Sequence, residues 1–279
     1  SWFDVYRGSR HPSGGERGVS IDICDPQSVR AAFERVRPQA VIHLAALSDI
    51  DRCQRERELA ELVNHQGAVH VARECLRLGA RMLYTSTDAV FDGTKGYYRE
   101  DDTPTPPNWY GETKARAEAS IREILPTAAI VRLSLVLGRS EAPGGNSYLD
   151  KVLANLQAGN TIRAATFEFR NPIDVGTLAQ FLLEIISQPA AVGVFHVGAS
   201  DKMSRYELTR AIAEQAGYDP ELIVRQETPP ADRAAAARTC RSGRSGPAGT
   251  RESYRGGRAR GSGGCGNTAT TRAAPKGTS

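Results

Sequence analysis

Residues 81–93 read RMLYTSTDAVFDG, an apolar run that turns polar at its end. The aromatic and β-branched residues predict a β-strand over residues 81–87, and the Asp and Gly that follow predict a loop. In an α/β protein, the loops at the carboxyl ends of the strands present side chains to ligands. Thr87 and Asp88 stand at this position, so they are candidate site residues.

Strand and helix patterns alternate on both sides of this strand. The opening SWFDVYRG alternates like a strand already in progress. Strands are predicted over 18–23, 40–46 (buried) and 128–138, and helices over 25–37, 56–78 and 107–124. Such alternation implies right-handed crossovers and a parallel sheet covered on both faces. The predicted fold class is α/β: a doubly wound, NAD(P)-binding Rossmann-like sheet with a small C-terminal substrate-binding part.

The phosphate-binding element of such folds is not evident near the start of the chain. It is a Gly-rich turn after the first strand, whereas the Gly-rich stretch at 8–18, GSRHPSGGERG, follows the wrong strand with the wrong spacing. We therefore expect about 25 residues, one strand and one helix, to be absent before residue 1. The chain as it stands is then expected to bind dinucleotide weakly.

The organisation expected from these patterns has three parts. Residues 1–138 form a Rossmann-like NAD(P)-binding domain without its first strand and Gly-rich turn. Residues 139–230 form the substrate-binding part, with elements that return to the sheet. Residues 231–279 form a disordered, basic, low-complexity tail, because they contain no Val, Ile, Leu, Met, Phe or Trp. The tail's composition favours a shifted reading frame over an RNA-binding segment.

Charge and composition restrict the function classes. Of 36 basic and 32 acidic residues, ten basic and two acidic ones lie after residue 230, so the body is mildly acidic and no nucleic-acid partner is expected. No apolar run approaches a membrane span and no signal peptide opens the chain, which predicts a cytoplasmic protein without a membrane partner. Five scattered cysteines are expected to be reduced thiols: Cys24, Cys53, Cys75, Cys240 and Cys265.

The segment NWYGETK, residues 108–114, places Tyr110 and Lys114 one helical turn apart. A carbonyl that receives a hydride must also receive a proton, and a neighbouring ammonium lowers the pKa of a phenol toward the working range. The hydroxyl of Thr87 can hold the reacting oxygen. The alternatives are a solvated helix face for the pair and a strand-end hydroxyl that caps its own backbone. The coincidence of all three residues favours catalysis.

Several stretches together resemble the extended short-chain dehydrogenase/reductase superfamily, and within it the dTDP-4-dehydrorhamnose reductase family. They are VIHLAALSDIDRC, STDAVFDG (residues 86–93), YGETK (110–114) and VRLSLVLG, and the resemblance spans roughly residues 2–225. The resemblance implies that Thr87, Tyr110 and Lys114 are catalytic, and that Tyr110 and Lys114 also contact the cofactor, Lys114 at the nicotinamide ribose. It further implies that Asp22 and Ile23 lie near the adenine and that the backbone of Ala45 and Ala46 lines the cofactor. Asn64 is implied to be a buried cofactor-site residue that supports the active site. A helix-surface amide is the alternative for Asn64.

The resemblance also implies an activity. Sugar-nucleotide dehydratases of the superfamily carry an Asp-Glu pair after the catalytic Thr, whereas this chain has Asp88 and Ala89, which disfavours dehydration. The implied function is NAD(P)H-dependent reduction of a 4-keto-deoxysugar nucleotide, dTDP-4-dehydrorhamnose to dTDP-L-rhamnose, and a homodimer is compatible with it. Two alternatives stay open: another sugar-nucleotide epimerase or reductase, and a regulatory subunit resembling the beta partner of methionine adenosyltransferase.

The turn after the first visible strand bears on cofactor choice. Arg7 and Arg10 favour NADPH over NADH, because guanidinium groups match a 2′-phosphate, although exposed arginines are often only solvated. Farther along, Arg170 is expected to neutralise a substrate phosphate or to pair with Glu168 or Asp174.

Three further expectations concern the helix caps and the histidines. Helices should begin after Asp174 and after Ser204, the latter with Glu207 completing a capping box. His43 is expected to be a hydrogen-bonded core residue. No histidine belongs to a ligand-spaced cluster, so no metal is expected.

Overall fold

The computed structural model describes residues 3–12, 15, 17–140 and 147–228. The predicted tail, Cys240 and Cys265 lie outside these residues. The described strands are β1 Arg7–Ser9, β2 Gly18–Ser20, β3 Ala40–His43, β4 Arg81–Thr87, β5 Ala129–Leu133, β6 Val136–Leu137, β7 Ile162–Ala165, β8 Phe169–Arg170, β9 Ile173–Asp174, β10 Gly193–Val197, β11 Met203–Ser204 and β12 Ile223–Gln226. The described helices are α1 Pro26–Val36, α2 Ile50–Arg55, α3 Arg57–Ala60, α4 Gly67–Leu78, α5 Trp109–Ile124, α6 Tyr148–Gln157, α7 Val175–Ser187 and α8 Arg205–Gln215.

The main sheet has four parallel strands in the order β10-β5-β4-β3. Strand β4 occupies the predicted residues 81–87, and all of them except Arg81 are buried. In the sheet register, Thr87 lies opposite Leu133 of β5. The parallel α/β fold expected from the sequence is therefore confirmed, and β4 is an internal strand of the sheet.

Strands β1 and β2 pair only with each other, as a separate parallel ribbon. The strand expected from the first residues of the chain is reduced to Arg7–Ser9, and residues 3–6 are exposed and irregular. The buried strand expected over 40–46 ends at His43, and Leu44 is 62% exposed. The reason is that β3 lies at the edge of the main sheet, where no other described strand pairs with its outer side.

The long helix expected over 56–78 is helical but not uniform. It begins at Arg57, and residues 61–66 form a π-helical turn between α3 and α4. Helix α2 precedes it and was not predicted separately. Helix α5 begins at Trp109, two residues later than expected, because the Asn108 side chain accepts a hydrogen bond from the Gly111 amide (2.9 Å) and caps the helix there.

Apolar side chains cover both faces of the main sheet. On one face, α1, α4 and α5 supply Val29, Phe33, Ala72 and Ile121. On the other face, α7 supplies Leu178, Leu182, Ile185 and Ile186 against Leu83 and Val131 of β4 and β5. Burial of this apolar area is the main force that holds the helices on the sheet. No helix among the described residues is long and apolar enough to cross a bilayer.

The C-terminal half returns one strand to the main sheet and builds a smaller layer beside it. Strand β10 pairs with β5, whereas β7 pairs with β12 under helices α6 and α8. The predicted cap at Ser204 is confirmed, since Ser204 with Glu207 forms the capping box of α8. Helix α7 begins after Asp174 as predicted, and the Asp174 side chain caps it. The single strand expected over 128–138 is interrupted at Ser134 and Leu135, and its second part, β6, pairs with β9 instead.

Candidate active site

Thr87 ends β4 at the carboxyl edge of the main sheet. Its hydroxyl accepts a hydrogen bond from the Ala89 amide (3.1 Å) and thereby starts the 3₁₀ turn of residues 88–90. The backbone-capping role that the sequence left open is therefore present. The same hydroxyl also interacts with the Tyr110 side chain, so capping does not remove it from the site.

Helix α5 approaches the end of β4 very closely at Gly111. A Cβ atom at this position would overlap the carbonyl oxygen of Ala89, so only glycine allows the contact. The close approach brings Tyr110, the preceding residue, beside Thr87. A glycine at the third position of the helix thus determines how near the phenol lies to the strand-end hydroxyl.

Tyr110 is half-buried, and its surroundings raise its pKa above the ordinary value. Burial is the main cause, the nearby Asp88 and Cys53 add to it, and the hydrogen bond with Thr87 opposes it. The sequence predicted the opposite direction, on the assumption that Lys114 would act on the phenol. Lys114 is not among the causes of the shift in the folded chain, and burial raises the pKa instead, so Tyr110 holds its proton at neutral pH.

Lys114 is completely buried one turn farther along α5. Its ammonium donates to the carbonyl oxygen of Thr85 (2.8 Å) and lies 4.2 Å from the centre of the Tyr84 ring. Burial lowers its pKa from 10.5 to about 7, and the carboxylate of Glu118 opposes this shift. The solvated helix face that the sequence allowed as an alternative is therefore excluded for Lys114.

His43 lies in the core beside Lys114 and stacks on Tyr84, with ring centres 5.7 Å apart. Burial and the charge of Lys114 lower its pKa to about 3, so the imidazole is neutral. The expectation of a hydrogen-bonded core histidine was wrong for one nitrogen, because the described residues offer Nε2 no partner.

Asn64 is buried in the π-helical turn and is not the surface amide that the sequence left as an alternative. Its side chain accepts from the Leu47 amide (2.7 Å) and donates to the Leu47 carbonyl (3.1 Å) and to the Thr113 hydroxyl (3.2 Å). The turn directs the amide inward, as π-bulges commonly do at functional sites. Asn64 thus ties the loop after β3 to helix α5.

Asp88 and Arg170 meet on the C-terminal side of this cluster. The Arg170 Nε atom lies 4.0 Å from the Asp88 carboxylate, which also accepts from the Ser134 hydroxyl (3.1 Å). Asp174, one of the partners that the sequence proposed for Arg170, caps α7. The pairing with Asp88 was not anticipated, because it joins residues that lie far apart in the chain.

The remaining predicted cofactor residues lie in two places. Ala45 and Ala46 are exposed directly after β3, and Asn64 holds the next residue of that loop. Asp22 and Ile23 are half-buried between β2 and α1, where Ile23 contacts Gly67 of α4. Arg7 and Arg10 are exposed at β1, and neither forms an ion pair with another described residue. These last four residues are not in the Thr87–Tyr110–Lys114 cluster.

Sequence reasoning missed a buried polar group behind this cluster. Ser86, Glu118 and Arg132 are each less than 5% exposed, and both Ser86 and Arg132 donate hydrogen bonds to the Glu118 carboxylate. Glu118 follows Lys114 by four residues, the same spacing that separates Lys114 from Tyr110. This repeated four-residue spacing, which places Glu118 on the same helix face as Tyr110 and Lys114, could have identified Glu118 from the sequence.

Comparison with known proteins gives the chain relatives along most of its length. Residues 6–245 match the family model described as RmlD substrate binding domain. The spore coat polysaccharide biosynthesis protein SpsK of Bacillus subtilis is 33% identical over 205 residues, which cover 73% of this chain and 70% of that protein. The dTDP-4-dehydrorhamnose reductase of Mycobacterium tuberculosis H37Rv is 32% identical over 210 residues, covering 72% and 66%. Methionine adenosyltransferase 2 subunit beta of Xenopus tropicalis is 30% identical over 201 residues, covering 70% and 59%.

Solved structures show the same architecture. The dTDP-4-dehydrorhamnose reductase of Bacillus anthracis in complex with NADP superimposes with a TM-score of 0.72 at 28% identity, over 79% of this chain and 78% of that one. The UDP-glucose 4-epimerase of Thermus thermophilus complexed with NAD has a TM-score of 0.67 at 20% identity, over 81% and 76%, and shares the fold.

Proposed function

The chain belongs to the RmlD substrate binding domain family, and from this premise we propose that it reduces the C4 ketone of a deoxysugar nucleotide, dTDP-4-dehydrorhamnose to dTDP-L-rhamnose, with NADPH. At the coarser level it is an NAD(P)-dependent oxidoreductase of nucleotide sugars, like its relatives. The observation that carries the proposal is the placement of Thr87, Tyr110 and Lys114 at the carboxyl edge of one parallel sheet.

The chain's own residues suit the proton transfer that such a reduction needs. The reduced nicotinamide supplies the hydride when it is bound. Thr87 holds the ketone oxygen beside Tyr110, which donates its proton to that oxygen as negative charge develops there. The raised pKa of Tyr110 keeps this proton available at neutral pH. Lys114, when protonated, stabilises the phenolate left behind.

The donor groups near Lys114 fit a dinucleotide. Its ammonium has three hydrogens, and among the described residues only the Thr85 carbonyl accepts one of them, which leaves hydrogens for the hydroxyls of a ribose. The exposed backbone of Ala45 and Ala46 lies after the neighbouring strand β3. Arg7 and Arg10, without ion-pair partners among the described residues, suit a 2′-phosphate and therefore NADPH. No described strand leads into a helix through a Gly-rich turn, so the described residues do not supply that support for a pyrophosphate.

Arg170 is the proposed contact for a substrate phosphate. It lies on β8 at the side of the site built by the C-terminal half, and Asp88 holds its guanidinium beside the catalytic loop. A substrate that lies across both halves would then place its sugar at Thr87 and its phosphates toward Arg170.

The function is tested by following the absorbance of NADPH after adding dTDP-4-keto-6-deoxyhexose to the full chain. We expect NADPH oxidation that Tyr110→Phe reduces by about 100-fold or more, because the variant lacks the proton donor. Tyr218→Phe, a tyrosine of the C-terminal layer, serves as the control and should retain the wild-type rate. Turnover that survives Tyr110→Phe would exclude the proposed general acid.

The relative named methionine adenosyltransferase 2 subunit beta supports a second candidate, a non-catalytic binding subunit. The same assay separates the two. A binding subunit would show no NADPH oxidation in the wild type, and Tyr110→Phe would leave its association with a methionine adenosyltransferase unchanged. The reductase requires turnover that depends on Tyr110.

A further inference from the structure

A buried ionic pair lies one helical turn beyond Lys114. The side chains of Glu118 and Arg132 are 1% and 2% exposed. The Glu118 carboxylate accepts from Arg132 Nε (3.0 Å) and Nη2 (2.7 Å), and it also accepts from the Ser86 hydroxyl (2.5 Å). A carboxylate is therefore held on both of its oxygens in the interior, directly behind the candidate active site.

The pair belongs to a regular contact between α5 and β4. Side chains four residues apart on α5 lie on one face, and each contacts one of three consecutive residues near the end of β4. The contacts are Tyr110 with Thr87, Lys114 with the Thr85 carbonyl, and Glu118 with the Ser86 hydroxyl. The third contact anchors Ser86, which lies between Thr85 and Thr87, the residues that Lys114 and Tyr110 contact.

Glu118 also provides the negative charge nearest to Lys114 on its own helix. Burial acts to remove the proton from Lys114, and Glu118 and Cys53 act to retain it. The groups that face Lys114 are Tyr110 and Glu118 from α5, His43 from β3, Tyr84 from β4 and Cys53 from α2. The groups that face Glu118 are Ser86 and Tyr84 from β4 and Arg132 from β5, and behind Arg132 stand His196 of β10 and the Glu100 carbonyl.

We propose that Glu118 is a positioning residue of the reductase site: it anchors β4 through Ser86 and places a buried carboxylate one helical turn from Lys114. This inference rests on the proposed function of Tyr110, Thr87 and Lys114. The Glu118 carboxylate is occupied by hydrogen bonds from Ser86 and Arg132, so it does not contact the substrate itself. Its effect on the site is therefore exerted through Ser86 and Lys114. Without the carboxylate, Lys114 loses its proton at a lower pH and no longer stabilises the phenolate of Tyr110 there.

A purely structural ion pair is the competing explanation, since breaking any buried pair destabilises a protein. Stability alone cannot separate the two, so the experiment measures the titration of Lys114. The chain contains only five lysines, so the carbon-13 resonance of the buried Lys114 can be assigned as the one that disappears in Lys114→Arg. The titration is followed by NMR on the full chain with carbon-13-labelled lysine.

Glu118→Gln is expected to lower the titration midpoint of Lys114 by about one pH unit or more, equivalent to a tenfold change in its proton affinity. The control is Glu168→Gln, which breaks an ion pair between a buried glutamate and the partly exposed Arg205 in the C-terminal half. That variant should leave the Lys114 midpoint unchanged. Glu118→Asp, which keeps the charge, should restore the midpoint to near the wild-type value.

The result that overturns the proposal is a folded Glu118→Gln variant whose Lys114 midpoint equals that of the wild type, or an equal shift in Glu168→Gln. If Glu118→Gln does not fold, the double variant Glu118→Gln/Arg132→Gln leaves no unpaired buried charge. It must still lower the Lys114 midpoint, by less than about one pH unit because the positive charge of Arg132 is removed as well, and an unchanged midpoint overturns the proposal.

Activity provides a second readout. The alkaline limit of kcat should move to lower pH in Glu118→Gln, while KM changes little. Because the titration needs neither substrate nor turnover, an inactive wild type would reject the proposed function without deciding the role of Glu118. An unchanged Lys114 midpoint would reject that role without touching the proposed function.

Discussion

The protonation states of Tyr110 and Lys114 follow from burial more than from their spacing. The sequence places a phenol and an ammonium one turn apart, and this spacing suggested that the cation would lower the pKa of the phenol. In the folded chain the ammonium is directed to the Thr85 carbonyl and the Tyr84 ring, and burial raises the pKa of Tyr110 while it lowers that of Lys114. The phenol therefore stays protonated at neutral pH.

Replacing Lys114 should change how stability depends on pH. The pKa of Lys114 is about 7 in the folded chain and 10.5 as the ordinary value. Between these two pH values, Lys114 is therefore protonated in the unfolded chain but not in the folded chain. Wild-type stability attributable to Lys114 therefore rises as pH increases from about 7 toward 10.5. The unfolding free energy of Lys114→Met minus that of the wild type should be largest below about pH 7, and this difference should decrease as the pH rises toward 10.5.

Urea denaturation of both proteins at about pH 6 and about pH 9 measures this difference. Lys151→Met, at an exposed lysine of α6, is the control and should show the same difference from wild type at both pH values. A pH-independent difference for Lys114→Met would contradict a lowered pKa at this residue.

At the scale of elements, the contact between α5 and β4 determines the site. Asn108 caps α5 so that the helix begins beside the end of β4, and Gly111 allows the backbone to approach Ala89. Asn64, in the π-helical turn, connects Thr113 of the same helix to the loop after β3. Three elements are thereby held together around Tyr110.

Gly111→Ala should disrupt this contact. The new methyl group would overlap the backbone of Ala89, which cannot rotate away as a side chain could, so we expect a loss of about 3 kcal/mol in unfolding free energy. Tyr110 should also move away from Thr87, with a corresponding loss of activity. The comparison is Gly176→Ala in α7, where the added methyl group would meet a side-chain oxygen of Asp174 at 3.2 Å.

Denaturant unfolding and NADPH turnover report the two effects of Gly111→Ala separately. Equal stability of Gly111→Ala and wild type would show that α5 does not need the close approach. Gly176→Ala should remain close to wild type in both measurements, because alanine is the better helix former.

At the scale of the whole molecule, the described chain consists of a main sheet, a small β1–β2 ribbon and a C-terminal layer. Strand β4 lies inside the main sheet with apolar layers on both faces, whereas the ribbon contains only two three-residue strands. Two-stranded ribbons are marginally stable by themselves. The Asp88–Arg170 pair joins the C-terminal half to the 3₁₀ turn that follows β4.

Hydrogen exchange should reflect this difference between the sheets. We expect the amides of Met82–Thr87 to exchange at least roughly 100-fold more slowly than those of Gly8 and Val19–Ser20, because β4 opens only with the core, whereas the ribbon opens locally. Exchange measured by mass spectrometry on peptides from the two regions tests this. Equal protection in both regions would mean that the ribbon unfolds together with the main sheet.

The sequence by itself determined the parallel α/β class, the bounds of β4, the start of α7 after Asp174, the capping box at Ser204, and the helical spacing of Tyr110 and Lys114. These depend on local periodicity and on hydrogen bonds between residues close in the chain. Only the tertiary structure decided that β3 is a half-exposed edge strand, that Arg170 pairs with Asp88, and that burial raises the pKa of Tyr110. Strand neighbours, long-range ion pairs and desolvation depend on which segments meet in space, and no local pattern specifies that.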